Sequence, residues 1–515
     1  MAKYVIGIDV GTTGSKAMVI DLKGNIIGKG YSEYKLDYPQ AGWVEVGAQF
    51  LLDITFKAVK DAVTDAKVDN KDIEAVSFSV NRSSFCLMDK DMKVIDDKFY
   101  VWLDSRAEEV MPEINAKISP ERRNEITGMP GYNIFALAKY YWIMKKRPEI
   151  YAKTKYFSTV ESFVMYGFGS DEFAVEISDG TVTGMMDVNT LDWSSEIIEK
   201  LGFDAAKFPP LCEPCKVVGT INGDVAAKTG LAVGTKIVSG SGDQQVSAMG
   251  AGVINDGSVS LTIGTFGVLA IGLAKPEFAK LTGMMIPSTP KLGVFQVEGS
   301  QVSGATCYRW CRDTLCEEDV AEAEKQGIDP FVLMGDKYIK KSKPGSNGVI
   351  FYSALFGSGY PTWDTNATGM FLGLRSSNTK ADMVRSVMEG VTLEARHILE
   401  SVMAAGVKMQ EVITVTGGAS KSPEWCQIIA DIMNRKIRTL DVPDSAVIGA
   451  AGLAAIGAGL YSSIDEIVEN MVHFGHVIEP IPENVKVYDK TFEIYKACYY
   501  GLKSTDVFTK MAALN

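Results

Sequence analysis

An aspartate closes the first apolar run of the chain and leads into a polar, glycine-bearing turn: Asp9-Val10-Gly11-Thr12-Thr13-Gly14-Ser15-Lys16. Glycine lets backbone approach a ligand closely, and the amides and hydroxyls of Gly11, Thr12 and Thr13 can donate to phosphate oxygens. Lys16 adds one flexible positive charge, and Asp9 can face a divalent cation directly or through water. The simpler alternative is a tight hairpin with a solvated lysine.

Asp243 follows a Gly/Ser turn over residues 239–242, a place where a substrate hydroxyl can approach. Phosphoryl transfer needs mainly positioning and a proton acceptor, and an aspartate there supplies the acceptor. Gln244 and Gln245 can orient a hydroxyl or a water. The same position also suits a helix N-cap, and the two roles are compatible. Gly264 and Thr265 repeat the donor chemistry later in the chain, and Gly417-Gly418-Ala419 leaves room for a flat base or ribose. Each pair alone is also compatible with an ordinary β-turn. Arg82 and Asp104, the latter within Trp102-Leu103-Asp104-Ser105-Arg106, offer a donor and an acceptor to a small polyhydroxylated compound. A site built to pair hydroxyls rejects compounds lacking them, unless these two side chains are engaged in internal ion pairs.

Positioning these groups calls for strands that end in turns. Residues 4–10, 16–21 and from 26 onward read as a three-strand meander, unlike a dinucleotide-binding opening whose first turn leads straight into a helix. Residues 48–67 carry apolar side chains at helical spacing, and 73–78 read as a strand. Residues 257–263 and 268–272 flank a turn at 264–267, echoing the first strand pair and suggesting a weak internal duplication. A helix over 380–405, a strand over 412–416 and helices over 425–433, 447–459, 464–471 and 487–502 follow. Alternating strands and helices give an α/β class.

At 515 residues the chain is long enough for two or more domains with a cleft between them. Its 52 basic and 64 acidic residues give a formal charge of -12, which offers no long-range attraction to nucleic acid or anionic lipid. Residues 446–460 are too interrupted to span a membrane, and the first residues run directly into a strand, so a cytoplasmic location is expected. The eight cysteines are scattered and only three histidines are present, so free thiols are expected rather than disulfides or a zinc site. For a soluble enzyme the general prior is a homodimer.

Taken together, the motifs resemble the FGGY carbohydrate kinases along nearly the whole chain. Gly242-Asp243-Gln244 matches the turn that holds that family's base, and Asp9 to Lys16 and Gly264-Thr265 resemble its two phosphate motifs. Gly417-Gly418-Ala419-Ser420-Lys421-Ser422, with Trp425, Gln427 and Ala430-Asp431, is similar to its nucleotide-binding signature. Lys139-Tyr140-Tyr141-Trp142 resembles a second signature, with Ala136 where Pro, Ser or Thr is usual. The sugar loop reads Asn81-Arg82-Ser83-Ser84; xylulokinases commonly have Gln-Met-His-Gly there, glycerol kinases Gln-Arg-Glu and autoinducer-2 kinases Met-Arg-Glu. Residues 357–373 are similar to a xylulokinase stretch at Pro361, Gly369, Phe371 and Gly373, but Ser358, Gly359 and Thr368 depart from it.

The resemblance implies two actin-like, ribonuclease-H-like ATPase domains around a central catalytic cleft. It divides the chain into 1–246 with sugar and base, 247–488 with nucleotide, and a helical extension over 489–515. It implies transfer of the ATP γ-phosphate, with Mg2+, to a small open-chain sugar such as xylulose or a related pentulose, with autoinducer-2, erythritol or glycerol as alternatives. A non-catalytic sugar-binding regulator is the alternative of a different class. The implied roles are catalysis by Asp243 and substrate binding by Arg82, Trp102, Asp104, Asp243 and Gln244. ATP contacts fall to Gly11, Thr12, Thr13, Lys16, Gly264, Thr265, Gly417, Gly418 and Ala419, and metal contacts to Asp9 and Asp243.

Overall fold

The computed structural model describes residues 3–281 and 283–514, so the outermost ends of the expected domain ranges, Met1, Ala2 and Asn515, lie outside the described residues. The chain forms two α/β units. The first comprises the residues up to Asp256 with Gly272–Gln296 and Asp444–His473; the second comprises Gly257–Ile271, Val297–Pro443 and the residues from Phe474 on.

In the first unit the strands run, across the sheet, Ile26–Glu33, Gly14–Asp21, Tyr4–Val10, Ile73–Val80, Lys236–Val238 and Val217–Thr220. The first three form the expected antiparallel meander, Ile73–Val80 joins Tyr4–Val10 in parallel, and Lys236–Val238 joins Ile73–Val80 in parallel. Val5, Ile6, Ile8 and Val10 are all fully buried, so both faces of this central strand are covered, as a near-continuous apolar run requires. The helix Ala48–Ala66 lays Leu51, Phe56, Val59 and Ala62 on the sheet. Its close seat depends on the partner strand: a Cβ at Gly28 or Gly30 would overlap the carbonyl oxygens of Ala62 or Ala58. Burying a side chain such as Phe56 contributes roughly 1.5–3 kcal/mol.

A second sheet, built mainly from residues of the second unit, repeats the plan with Phe295–Gln301, Gly267–Leu273, Val259–Ile263, Val412–Gly417, Lys436–Leu440 and Phe474–Ile478. Again an antiparallel pair, Val259–Ile263 with Gly267–Leu273, is followed by two parallel neighbours and an antiparallel edge. The echo between the two strand pairs is thus a repeat of whole sheets in the same order.

Packing divides the chain differently from a single cut after residue 246. The helix Ser445–Gly457 returns to the first unit and packs on Tyr4–Val10, Ile73–Val80 and the helix Asp243–Gly250. Small residues make that contact possible, because a Cβ at Gly7 would overlap the Val447 carbonyl and one at Gly250 the Ser445 carbonyl. Nor is 489–515 a separate piece: the helix Pro482–Ser504 packs on Pro423–Met433 and Lys380–Ala404 within the second unit. All eight cysteines are free thiols, and no described helix is long and apolar enough to cross a membrane.

Candidate functional site

Within the first unit, three neighbouring strands deliver their carboxyl ends to one edge. Asp9 pairs with Ser79 across Tyr4–Val10 and Ile73–Val80, and the short strand Ser241–Gly242 pairs with Ser79 and Val80 on the far side. Asp9 and Asp243 therefore stand two strand spacings apart, about 10 Å, at the edge where open α/β sheets bind ligands.

Asp9 is half-buried; Ser79 Oγ donates to its Oδ1 at 2.8 Å. Burial raises its pKa, an effect opposed by the Ser79 hydrogen bond and the nearby Lys16 and reinforced by Asp444. The turn after it is fixed from three sides. The Gly11 amide donates to the Gly14 carbonyl at 3.0 Å, Tyr34 Oη donates to the Gly11 carbonyl at 2.5 Å, and Asn81 Nδ2 donates to the Val10 carbonyl at 3.0 Å. Trp102 Nε1 donates to Thr12 Oγ1 at 3.0 Å, while Thr13 stays exposed. Lys16 does not point freely into solvent: its Nζ lies 2.5 Å from Asp444 Oδ1.

Asp243 opens the helix Asp243–Gly250, but the N-cap is Gly242, with extended backbone and no side-chain cap. The carboxylate instead lies 3.2 Å from Arg82 Nε, with about 31% of its side chain exposed. Arg82 Nη1 also donates to Gln245 Oε1 at 3.1 Å, so the guanidinium joins the turn to the loop at residue 82. Gln244 is half-buried beside Asp243, and its amide donates to Asp243 Oδ1 at 2.7 Å.

Asp104 departs from its expected place in a substrate contact. Its side chain is fully buried, and it accepts from Arg106 Nε at 2.9 Å, Arg106 Nη2 at 2.7 Å and the Val44 amide at 2.6 Å. With its oxygens engaged in an internal ion pair, it shapes the loop that carries Trp102. Lys139, also fully buried, holds that loop from behind by donating to the carbonyls of Ile134 at 2.8 Å, Asn133 at 3.3 Å and Trp102 at 3.5 Å. Burial lowers the Lys139 pKa to about 7.

In the second unit, Gly264 and Thr265 form the tip between Val259–Ile263 and Gly267–Leu273. The tip is braced on the start of the helix Thr306–Leu315: Gly304 N donates to Thr265 O at 3.0 Å, Ala305 N to Gly264 O at 2.7 Å, and Thr306 Oγ1 to Thr265 O at 2.7 Å. Gly417, the register partner of Ile263, has φ +79°, and a Cβ there would lie 2.6 Å from the Ile263 carbonyl oxygen. The two glycine turns thus lie side by side, with Gly418 exposed. Ala419, next to it, is fully buried. The remaining signature residues are structural: Trp425 Nε1 donates to Thr392 Oγ1, and Asp431 accepts from Gln427, Asn484 and the Ile481 amide.

Ser79, Tyr34 and Asp444 are not marked by the sequence as site residues; they come from strands and loops whose proximity no local spacing encodes. Among the described residues, no group of three or more His, Cys, Asp or Glu side chains is arranged to hold a metal ion. Two separate carboxylates still suit Mg2+, which binds through one or two protein carboxylates while keeping waters and phosphate oxygens.

Two family models match the chain: the FGGY family of carbohydrate kinases, N-terminal domain, over residues 4–250, and the C-terminal domain of that family over 259–458. The xylulose kinase of Bacillus subtilis (strain 168) is 28% identical over 99% of this chain and 99% of its own. The gluconokinase of Bacillus licheniformis is 27% identical over 96% and 95%. The ligand-bound xylulose kinase of Lactobacillus acidophilus superposes with TM-score 0.89 at 25% identity, covering 99% of this chain and 100% of that one.

Proposed function

Because this chain belongs to the FGGY family of carbohydrate kinases and so phosphorylates a small sugar-like molecule with ATP, we propose that its acceptor is xylulose or a related pentulose, with Asp243 as the base. The carrying observation is the partly exposed Asp243 carboxylate at the sheet edge, held by Arg82 and by the amide of the adjacent Gln244. Asp243 accepts the proton of the attacking hydroxyl as that oxygen displaces ADP from the γ-phosphorus. Arg82 holds the carboxylate in place and, with Trp102 and Gln244, contacts the sugar. The amides of Thr12, Thr13 and Thr265 donate to phosphate oxygens, Gly11 and Gly264, whose own amides close their turns on the Gly14 and Phe266 carbonyls, let the phosphates approach closely, Lys16 adds charge, and Gly417-Gly418-Ala419 borders the nucleotide. Asp9 and Asp243 would hold Mg2+, which would neutralise phosphate charge.

The pentulose reading is supported by full-length similarity to xylulose kinases, whereas the Ser83-Ser84 pair in the sugar loop departs from them. The test is Mg2+- and ATP-dependent ADP release with D-xylulose, L-xylulose, D-ribulose, glycerol, erythritol, gluconate and autoinducer-2 precursor, each against a control without acceptor. D-xylulose or another pentulose should give the highest kcat/KM. A higher value for gluconate, glycerol, erythritol or the autoinducer would overturn the pentulose assignment, and saturable binding of a sugar without ADP release would favour a regulator.

A further inference from the structure

Behind the turn that presents Asp243 lies a set of buried acidic side chains with no part in the mechanism above. Glu161 and Glu176 are fully buried and Asp179 nearly so. They come from the helix Val160–Phe168, the strand Val175–Glu176 and the helix Ile177–Thr181, all inside the first unit. Buried carboxyl groups are costly unless they are hydrogen-bonded or neutral, so three together call for an explanation.

Their contacts converge on one short stretch of backbone. Glu161 Oε1 accepts from the Gly240 amide at 2.6 Å. Glu176 Oε2 accepts from Ser178 Oγ at 2.6 Å, and Ser178 Oγ lies 2.5 Å from Ser241 Oγ. The Ser178 carbonyl accepts from Gln245 Nε2 at 3.0 Å, and Gln245 in turn accepts from Arg82, which holds Asp243. Thus Gly240, Ser241 and Gln245, on both sides of Asp243, are each tied to this buried group. Gly240 has no freedom to move the other way, since a Cβ there would overlap the Phe78 carbonyl oxygen.

We propose that Glu161 and Glu176 are positioning residues for phosphoryl transfer, fixing the backbone of residues 240–242 and so the Asp243 carboxylate. The inference rests on Asp243 being the base. The Gly240 amide is buried, and without the Glu161 oxygen it has lost its acceptor, so the turn shifts to find another. A base displaced by even a fraction of an ångström from the attacking hydroxyl loses rate while the sugar and ATP contacts persist. Two further features fit a compact, partly protonated group. Glu161 Oε2 and Asp179 Oδ2 are buried without a hydrogen-bond partner among the described residues, and burial raises the pKa of all three groups. A neutral Glu161 still presents a carbonyl oxygen to Gly240, which makes glutamine its faithful replacement.

The test compares Glu161→Gln, Glu161→Leu and Ser241→Ala with the wild-type enzyme, measuring kcat, KM for ATP and sugar, and thermal unfolding. Glu161→Gln keeps an acceptor and should hold kcat within about threefold of wild type. A folded Glu161→Leu should lose at least about tenfold in kcat, the range of a displaced general base, with KM for ATP nearly unchanged. Wild-type kcat in a folded Glu161→Leu, or equal loss in Glu161→Gln, would overturn the proposal. Should Glu161→Leu fail to fold, Ser241→Ala decides: a several-fold loss of kcat at constant KM supports the proposal, and wild-type kcat overturns it. Asp243→Asn is the separate control. If it retains turnover, the base assignment itself fails; if it is inactive while the other variants are unaffected, only this inference fails.

Discussion

Lys16 Nζ stands 2.5 Å from Asp444 Oδ1, joining two residues 428 positions apart in the chain. Both side chains are about one-third exposed, so the pair adds less than about 1 kcal/mol to stability. Its position beside Asp9 matters more, because it keeps the lysine next to the phosphate-suited turn. Asp444→Asn should therefore lower the unfolding free energy only slightly in urea titrations. Lys16→Ala should raise KM for ATP several-fold at similar stability. Unchanged KM for ATP in Lys16→Ala would show that Lys16 serves only the ion pair.

Asp243→Asn keeps the shape of the side chain and a contact for Arg82 but cannot accept a proton at neutral pH. If Asp243 is the base, kcat should fall by roughly 10²-fold or more while the sugar still binds. Steady-state ADP release together with sugar binding by calorimetry separates the two quantities. Turnover within a few-fold of wild type would rule the base role out.

Gly7 sits where the helix Ser445–Gly457 crosses the central strand Tyr4–Val10. Because a Cβ would overlap the backbone carbonyl of Val447, which cannot rotate away, Gly7→Ala forces helix and strand apart. Overpacking of this kind costs about 1–3 kcal/mol, read as a lower urea midpoint at unchanged slope. The displaced helix begins beside Asp444, so KM for ATP should rise as well. A variant as stable as wild type would mean that the helix seats less tightly than the overlap requires.

The layered α/β plan was legible because each phosphate-suited turn lies between strands of clear β-branched or apolar character, as at Tyr4–Val10 and Val259–Ile263. Helix positions such as Ala48–Ala66 followed from apolar spacing, with ends within a residue or two except at Pro482–Ser504, which starts five residues before the expected 487. What local pattern does not carry is long-range pairing. Asp444 belongs to a segment that rejoins the first unit after most of the second has been built, and nothing near residue 444 marks Lys16 as its partner. Asp104 looked free to meet a hydroxyl, yet Arg106, two residues on, folds back to take both its oxygens. Glu161 and Glu176 lie in short elements where no local pattern marks them; only tertiary burial brings them to one turn.

The same buried carboxyl groups impose a pH dependence on folding. Burial lifts Glu176 to about 8 and Asp179 to about 7, with Asp179 pulled down by Arg82 and up by Asp243. In the unfolded chain both revert to ordinary values near 4. Between about pH 4 and 8 the folded state therefore holds more protons than the unfolded state, and stability falls as pH rises through that window. Two other groups act in the opposite sense: burial lowers His397 to about 4 and Lys139 to about 7, so each favours folding as pH rises. The wild-type curve mixes these contributions, but the difference between wild type and Glu176→Gln cancels what the two proteins share. That difference in unfolding free energy, measured by urea titration at several pH values, should shift against the wild type from pH 5 to 8. A difference independent of pH would mean that Glu176 ionises in the fold as an ordinary surface carboxylate does.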